Sequence, residues 1–380
     1  MKIGVLTVPF NNNYGGFLQA YSLKTILERM GHNVVFIDRK RNKIKRPLWK
    51  ALIGFPYFKL KEIKAQNIKK KISIFTDVFK QKYLAPFTPE YYCHEDLKTC
   101  LTFNFDAFIV GSDQVWRYKY AKKSIDDYFF SFLEDATPKF SYAASFGTSE
   151  NEYPLAAIEK CRSLLKSFVS ISVREYSGKE MLSRYFDVNP DLVNVVLDPT
   201  LLLTAEDYRS LFSNITTKKE PYVCSYILDA SQEKSNLISS IAQKYGGNVV
   251  YLNAQTNGLK DQKPIEPVEK WLCQMAAASF VVTDSFHGTV FSIVFNKPFV
   301  VIANSTRGNS RFETLLAELD LKSRYIQEQE LDKIDNFFLF KPVEWNSVNS
   351  KLDLLRNQSL NFLTKSLHSC KSKKILHKNN

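Results

Sequence analysis

Val281-Val282-Thr283-Asp284-Ser285-Phe286-His287-Gly288-Thr289-Val290-Phe291-Ser292 is the stretch that decides the fold. An apolar strand, 280–283, runs into polar residues, and helical periodicity begins at Gly288 and continues to Phe295. A buried strand handing over to a helix through a short polar turn is the repeating unit of an open α/β fold. His287 then falls on the loop at the strand's carboxyl end, where such sheets bind ligands.

The same unit recurs in both directions. Beyond it lie a strand at 298–302 and a helix at 310–319; before it come a strand at 222–228, a helix at 232–245, a strand at 248–252 and a helix at 267–278. A polar stretch, Ser213–Pro221, separates this set from an earlier one. That earlier set opens with a strand at 2–8, a turn at Asn13-Tyr14-Gly15-Gly16, a helix at 17–30 and a strand at 32–38. It resumes with strands at 105–110, 139–144, 169–173 and 192–197 and helices at 153–167 and 177–185. The pattern predicts an N-terminal α/β domain over 1–212 and a second over 213–345. A C-terminal helix and basic tail over 346–380 is placed to cross back to the first. Two such domains facing each other create a cleft between their strand ends. Gly-x-Gly-x-x-Gly is absent from the opening unit, so a dinucleotide site is not supported.

At 380 residues the chain is long enough for two cores. With 44% hydrophobic, 14% aromatic and 24% charged residues it is excluded from disordered, collagen-like and disulfide-scaffold classes. Six cysteines without Cys-x-x-Cys or regular spacing fit free thiols in a reducing compartment. No apolar run is long enough to cross a membrane, and the N-terminus lacks the pattern of a secretory leader. The expectation is a cytoplasmic protein.

The net charge of +13 sits in one place. Residues 39–82 hold fifteen Lys/Arg against Glu62 and Asp77, and the remainder is neutral. Trp49, Phe55, Tyr57, Phe58, Ile63, Ile68, Ile72 and Phe75 lie between the lysines. Three readings compete: a solvated helical excursion packed on its own domain, a surface resting on anionic lipid, and nucleic-acid binding. No zinc spacing, RNP-type strand or helix-turn-helix signature accompanies the charge, so nucleic acid is the least supported.

Histidine can donate or accept a proton near neutral pH, which makes His287 the candidate acid or base. The helix start after it offers backbone N–H groups to an anion at Gly288 and Thr289. Arg174, at the end of the strand 169–173, can clamp a carboxylate or phosphate with two parallel hydrogen bonds, or form a surface ion pair. Arg307 and Arg311 share another strand-to-helix turn. Asp113 and Asp198 each follow a buried strand and can receive a sugar hydroxyl or cap a turn. No metal-ligand spacing appears.

With these residues in view, the sequence resembles the polysaccharide pyruvyl transferase family. The resemblance rests on Asn13-Tyr14-Gly15-Gly16 with Gln19-Ala20-Tyr21-Ser22-Leu23, on Val110-Gly111-Ser112-Asp113-Gln114-Val115-Trp116, on Ser172-Val173-Arg174-Glu175, on Asp198-Pro199-Thr200, and on Thr283-Asp284-Ser285-Phe286-His287-Gly288-Thr289. These blocks stand in family order. The resemblance implies two Rossmann-like domains facing across a cleft, as in GT-B glycosyltransferases. It implies transfer of the pyruvyl group of phosphoenolpyruvate to two hydroxyls of a sugar or lipid-linked oligosaccharide, with no metal or resident cofactor. His287 is then the catalytic acid. Arg174, Ser285, Gly288 and Thr289 fall at the donor, and Asn13, Tyr14, Gly15 and Asp113 at the acceptor. Many members carry Arg-x-His-Gly where this chain has Ser285, which leaves Arg307 or Arg311 to supply the missing charge. The alternatives are a nucleotide-sugar glycosyltransferase, or a non-catalytic glycan- or anion-binding protein, on the same scaffold.

Overall fold

The structure, a computed structural model, describes residues 1–11, 13–41, 67–68, 70–216, 220–252, 264–304, 308–333 and 341–378. Short apolar runs form two all-parallel sheets. The first comprises β1 (Lys2–Leu6), β2 (Asn33–Phe36), β3 (Ala107–Asp113), β4 (Lys139–Ala144), β5 (Ile171–Val173) and β6 (Val193–Val195), in the order β2-β1-β3-β4-β5-β6. The second comprises β7 (Val223–Tyr226), β8 (Val249–Tyr251), β9 (Phe280–Thr283), β10 (Phe299–Ile302) and β11 (Tyr325–Ile326), in the order β11-β10-β9-β7-β8. Every residue of β3, β4, β9 and β10 is buried, as expected of parallel strands covered on both faces.

Both sheets place their first strand between their second and third. Each therefore has a point, β1/β3 and β7/β9, where successive connections leave on opposite faces and a crevice opens at the carboxyl ends. The two crevices face one another. Tyr14 stacks on Trp271 with ring centroids 5.3 Å apart, and its hydroxyl donates to the Glu266 carbonyl at 3.0 Å. Tyr208 meets Phe291 edge-on at 4.9 Å. One continuous apolar core thus runs from the first sheet into the second.

The helix Trp345–Lys378 returns to the first sheet. Its Ser359 hydroxyl accepts from the Leu197 N–H at 3.0 Å, and Lys373 reaches the carbonyls of Asp135 and Ser167 at 2.9 and 3.2 Å.

Two helix starts differ from the sequence reading. The first helix, α1 (Tyr14–Arg29), begins inside the stretch read as a turn, because the Asn13 side chain caps it by accepting from the Gly15 N–H at 3.1 Å. The helix Phe286–Val294 begins two residues before Gly288, because Ser285 is its cap. Most of the basic excursion, 42–66 and 69, lies outside the described residues, as does Arg307.

Candidate active site

A cavity of about 330 Å³ opens between the two crevices. The β1–α1 loop supplies Phe10, Asn11 and Asn13; the end of β3 supplies Asp113 and Gln114; the end of β9 and the helix after it supply Asp284, Ser285, Phe286 and His287. Arg39, Lys40 and Arg41 line it from the segment that follows β2, and Arg311 from the helix Ser310–Glu318.

His287 is not a loop residue. It occupies the first turn of its helix and is only 6% exposed. Its imidazole lies on the backbone of Gly15: a Cβ there would stand 1.9 Å from Nδ1. The other ring nitrogen, Nε2, is buried without a hydrogen-bond partner and points toward Asp198, 3.8 Å from Oδ2. The ring, carried by the second domain, is therefore clamped between two parts of the first: the start of α1 and the Asp198 carboxylate.

Asp198 caps a short turn and also serves the site. Its Oδ1 accepts from the Thr200 N–H and hydroxyl at 3.0 and 2.6 Å, while Oδ2 takes the Arg174 guanidinium at 2.5 Å. Burial alone would raise this carboxyl, but His287 and Arg174 outweigh it and hold it well below the usual carboxylate range. Arg174 is buried and also reaches Asp113 Oδ1 at 3.2 Å. Its fork is thus committed to carboxylates of its own domain, and it does not line the cavity. Phe286 lies beside both Arg174 and Arg311, whose guanidiniums stand 4.7 and 5.4 Å from its ring centre. Burial, with Arg174 adding repulsion, pushes Arg311 down to about 10, so it stays cationic at neutral pH.

The remaining expected residues divide. Asn13, Asp113 and Ser285 border the cavity, Asp113 at a φ of 71°. Tyr14 does not, being spent on the contact with Trp271 and Glu266. Gly15 serves the imidazole. Gly288 admits the Thr283 hydroxyl, which a Cβ would meet at 2.2 Å, and its N–H is directed at Ser285 Oγ. Thr289 is buried, with its hydroxyl on the Ser285 carbonyl at 3.1 Å. Close packing, not approach of a ligand, accounts for both.

Sequence reasoning assigned no role to three buried polar residues. Gln19 ties the crevice of the first sheet: its amide nitrogen donates to Thr7 Oγ1 at 3.0 Å and its oxygen accepts from the Ser112 hydroxyl at 2.9 Å. Glu175 Oε1 accepts from Ser145 Oγ and the Phe146 N–H at 2.8 and 3.0 Å, fixing the loop after β4. Asp284 does the same for the second sheet, accepting from the Leu228 and Asp229 N–H groups at 2.6 and 3.1 Å and pairing with Lys234 at 3.1 Å. Glu175 and Asp284 stand just after β5 and β9, which was the available signal, whereas Gln19 lies within the first helix.

Solved structures of similar fold define the class. A UDP-GlcNAc 2-epimerase from Neisseria meningitidis superposes with a TM-score of 0.52 at 10% identity, covering 95% of this chain and 99% of that one. S. aureus MnaA in complex with UDP gives 0.53 at 11%, covering 89% of each chain. The UDP-GlcNAc 2-epimerase from Methanocaldococcus jannaschii gives 0.52 at 12%, covering 94% and 99%. At such identities the likeness concerns the fold alone: two Rossmann-like domains facing across a cleft, the GT-B-like arrangement. No curated protein matches the sequence. The family model for polysaccharide pyruvyl transferase matches residues 13–306, and the chain belongs to that family of transferases.

Proposed function

We propose that the protein transfers the pyruvyl group of phosphoenolpyruvate to two hydroxyls of a sugar, forming a cyclic ketal and releasing phosphate. The observation that carries this reading is the His287 imidazole held between Gly15 and Asp198 at the edge of a cavity that also receives Arg311. The donor has two anionic groups, and Arg311 lines the same cavity as Ser285, which stands where many members carry an arginine. His287, protonated, gives its proton to the methylene carbon, whose double-bond electrons form the new C–H bond. The cation left at C2 is attacked by one sugar hydroxyl, which releases its proton. The C2–O bond to phosphate then breaks, phosphate leaves with the electron pair, and the second hydroxyl closes the ring as it loses its proton. Asp198, kept ionised, stabilises the imidazolium.

The sugar is proposed to enter over Asn13 and Asp113, whose oxygens can accept its hydroxyl protons. The test is incubation with phosphoenolpyruvate and a panel of model and lipid-linked glycosides, following phosphate release and the mass gain of a pyruvate ketal. His287→Gln should lower the rate at least about 10²-fold, the usual contribution of a positioned acid. Release of a nucleoside diphosphate from a sugar nucleotide, without turnover of phosphoenolpyruvate, would overturn the reading in favour of glycosyl transfer.

A further inference from the structure

Residues 70–79 are helical, the described end of the basic excursion. One face of this helix is buried: Ile72, Thr76 and Phe79 are fully covered, and Phe79 packs edge-on against Phe17 and Tyr21 of α1. The opposite face is apolar and open. Ile74, Phe75 and Val78 are 52%, 42% and 58% exposed, and helical spacing places them together. Lys70 and Lys71 flank the patch on one side and Lys82 on the other, all exposed. The acidic side chain among them, Asp77, is held by the Ser73 hydroxyl at 2.6 Å. Three large apolar residues in one exposed stripe mark a surface that is covered in use, and its positively charged rim disfavours basic partners.

We infer that this face docks the protein on an anionic lipid bilayer, Ile74, Phe75 and Val78 entering the interface and the lysines meeting the headgroups. Charge complementarity selects lipid as the occupant: residues 39–82 carry the chain's whole excess of positive charge, and they lead into this face. The position has a functional sense. Lys80, near the end of the same helix, lies over the rings of Phe10 and Phe87 at 5.4 and 4.2 Å, and Phe10 borders the cavity. At 1.5 Å of rise per residue, the patch residues sit two to six positions before Lys80, about 3–9 Å along the helix. A glycan attached to a membrane-bound carrier would reach the cavity from such a surface. The inference stands apart from the proposed reaction, since lipid binding is read without turnover.

The test is co-sedimentation of the full chain with vesicles of phosphatidylcholine alone or mixed with phosphatidylglycerol, at low and high salt. Binding to the mixed vesicles at low salt, released at high salt, is expected. Lys70→Glu with Lys71→Glu should reduce partition at least about tenfold, given roughly fivefold per basic residue near an anionic surface. Ile74→Ser, Phe75→Ser and Val78→Ser together should reduce it comparably, with an unchanged melting temperature because these side chains are exposed. Equal partition onto both vesicle types, no partition, or wild-type binding by the serine variant would overturn the inference. So would lipid-independent self-association that the serine variant abolishes, which would assign the face to a second copy of the chain.

Discussion

At Gly15 the missing side chain is what the site requires. The residue sits in the first turn of α1, where a β-carbon would collide with the His287 Nδ1, and a glycine there costs about 1 kcal/mol of helix stability relative to alanine. Alanine should therefore be neutral or stabilising for the isolated helix and damaging for the site. Gly15→Ala is expected to lower kcat by about 10²-fold, the scale of a 1 Å misplacement of a reacting group. The thermal midpoint should move little, because the imidazole can swing toward the cavity. Steady-state kinetics alongside a melting curve checks it, and a variant that keeps wild-type kcat would show the imidazole free to work from a second position. Much of this site was legible as residue types: His287, Arg311, Asp113 and Asn13 all stand after strands and all border the cavity. What could not be read was the partnership. Arg174 looked like an anion clamp from its place after β5, yet Asp113 and Asp198 take its fork, and those carboxylates arrive from β3 and the turn after β6.

Among the elements, β1 to β10 were legible from short apolar-rich runs, the two-residue β11 was not read, and both functionally important helix starts were misplaced. Tyr14-Gly15-Gly16 reads as a turn on glycine content alone; the Asn13 cap and the packing of His287 on Gly15 override that propensity. Strand β4 hides a different feature. It begins at Lys139, a residue whose charge argues for the surface, but whose side chain is buried and donates to the Glu134 carbonyl at 2.8 Å. Burial pushes this amine down to about 8; Asp135 partly opposes the shift and Lys373 adds to it. Between that value and the ordinary lysine value of about 10.4 the unfolded chain binds more protons than the folded one, so stability should rise with pH across this window. Below about pH 8 the penalty is present in full. Lys139→Met should flatten the slope and raise stability at pH 7. Urea denaturation of both proteins from pH 7.5 to 9.5 measures the difference, and parallel curves would refute the assignment.

For the whole molecule, the two sheets, their parallel character and the returning C-terminal helix could be anticipated from alternating strand and helix patterns. The joint between the domains could not. It is built from Tyr14, Tyr226, Trp271, Tyr208 and Phe291, aromatic residues scattered through both halves, of which the sequence singled out only Tyr14, and that as an acceptor contact. Trp271 stands at its centre, stacked on Tyr14 and edge-on to Tyr226 and Phe291 at 5.2 and 5.3 Å. A chain of this length ordinarily unfolds domain by domain. Here each sheet loses part of its core if the other opens, so the domains should unfold together. Trp271→Ala removes the shared side chain and should cost about 3–5 kcal/mol. Native-state hydrogen exchange reads the consequence strand by strand: amides of β3 and β9 should lose protection by a similar factor, although Trp271 belongs only to the second domain. Loss confined to β9, with β3 unchanged, would mean that the domains are stabilised separately. The coupling matters for the site, because His287 and its Gly15 seat come from different domains and the imidazole is placed only while the joint is closed.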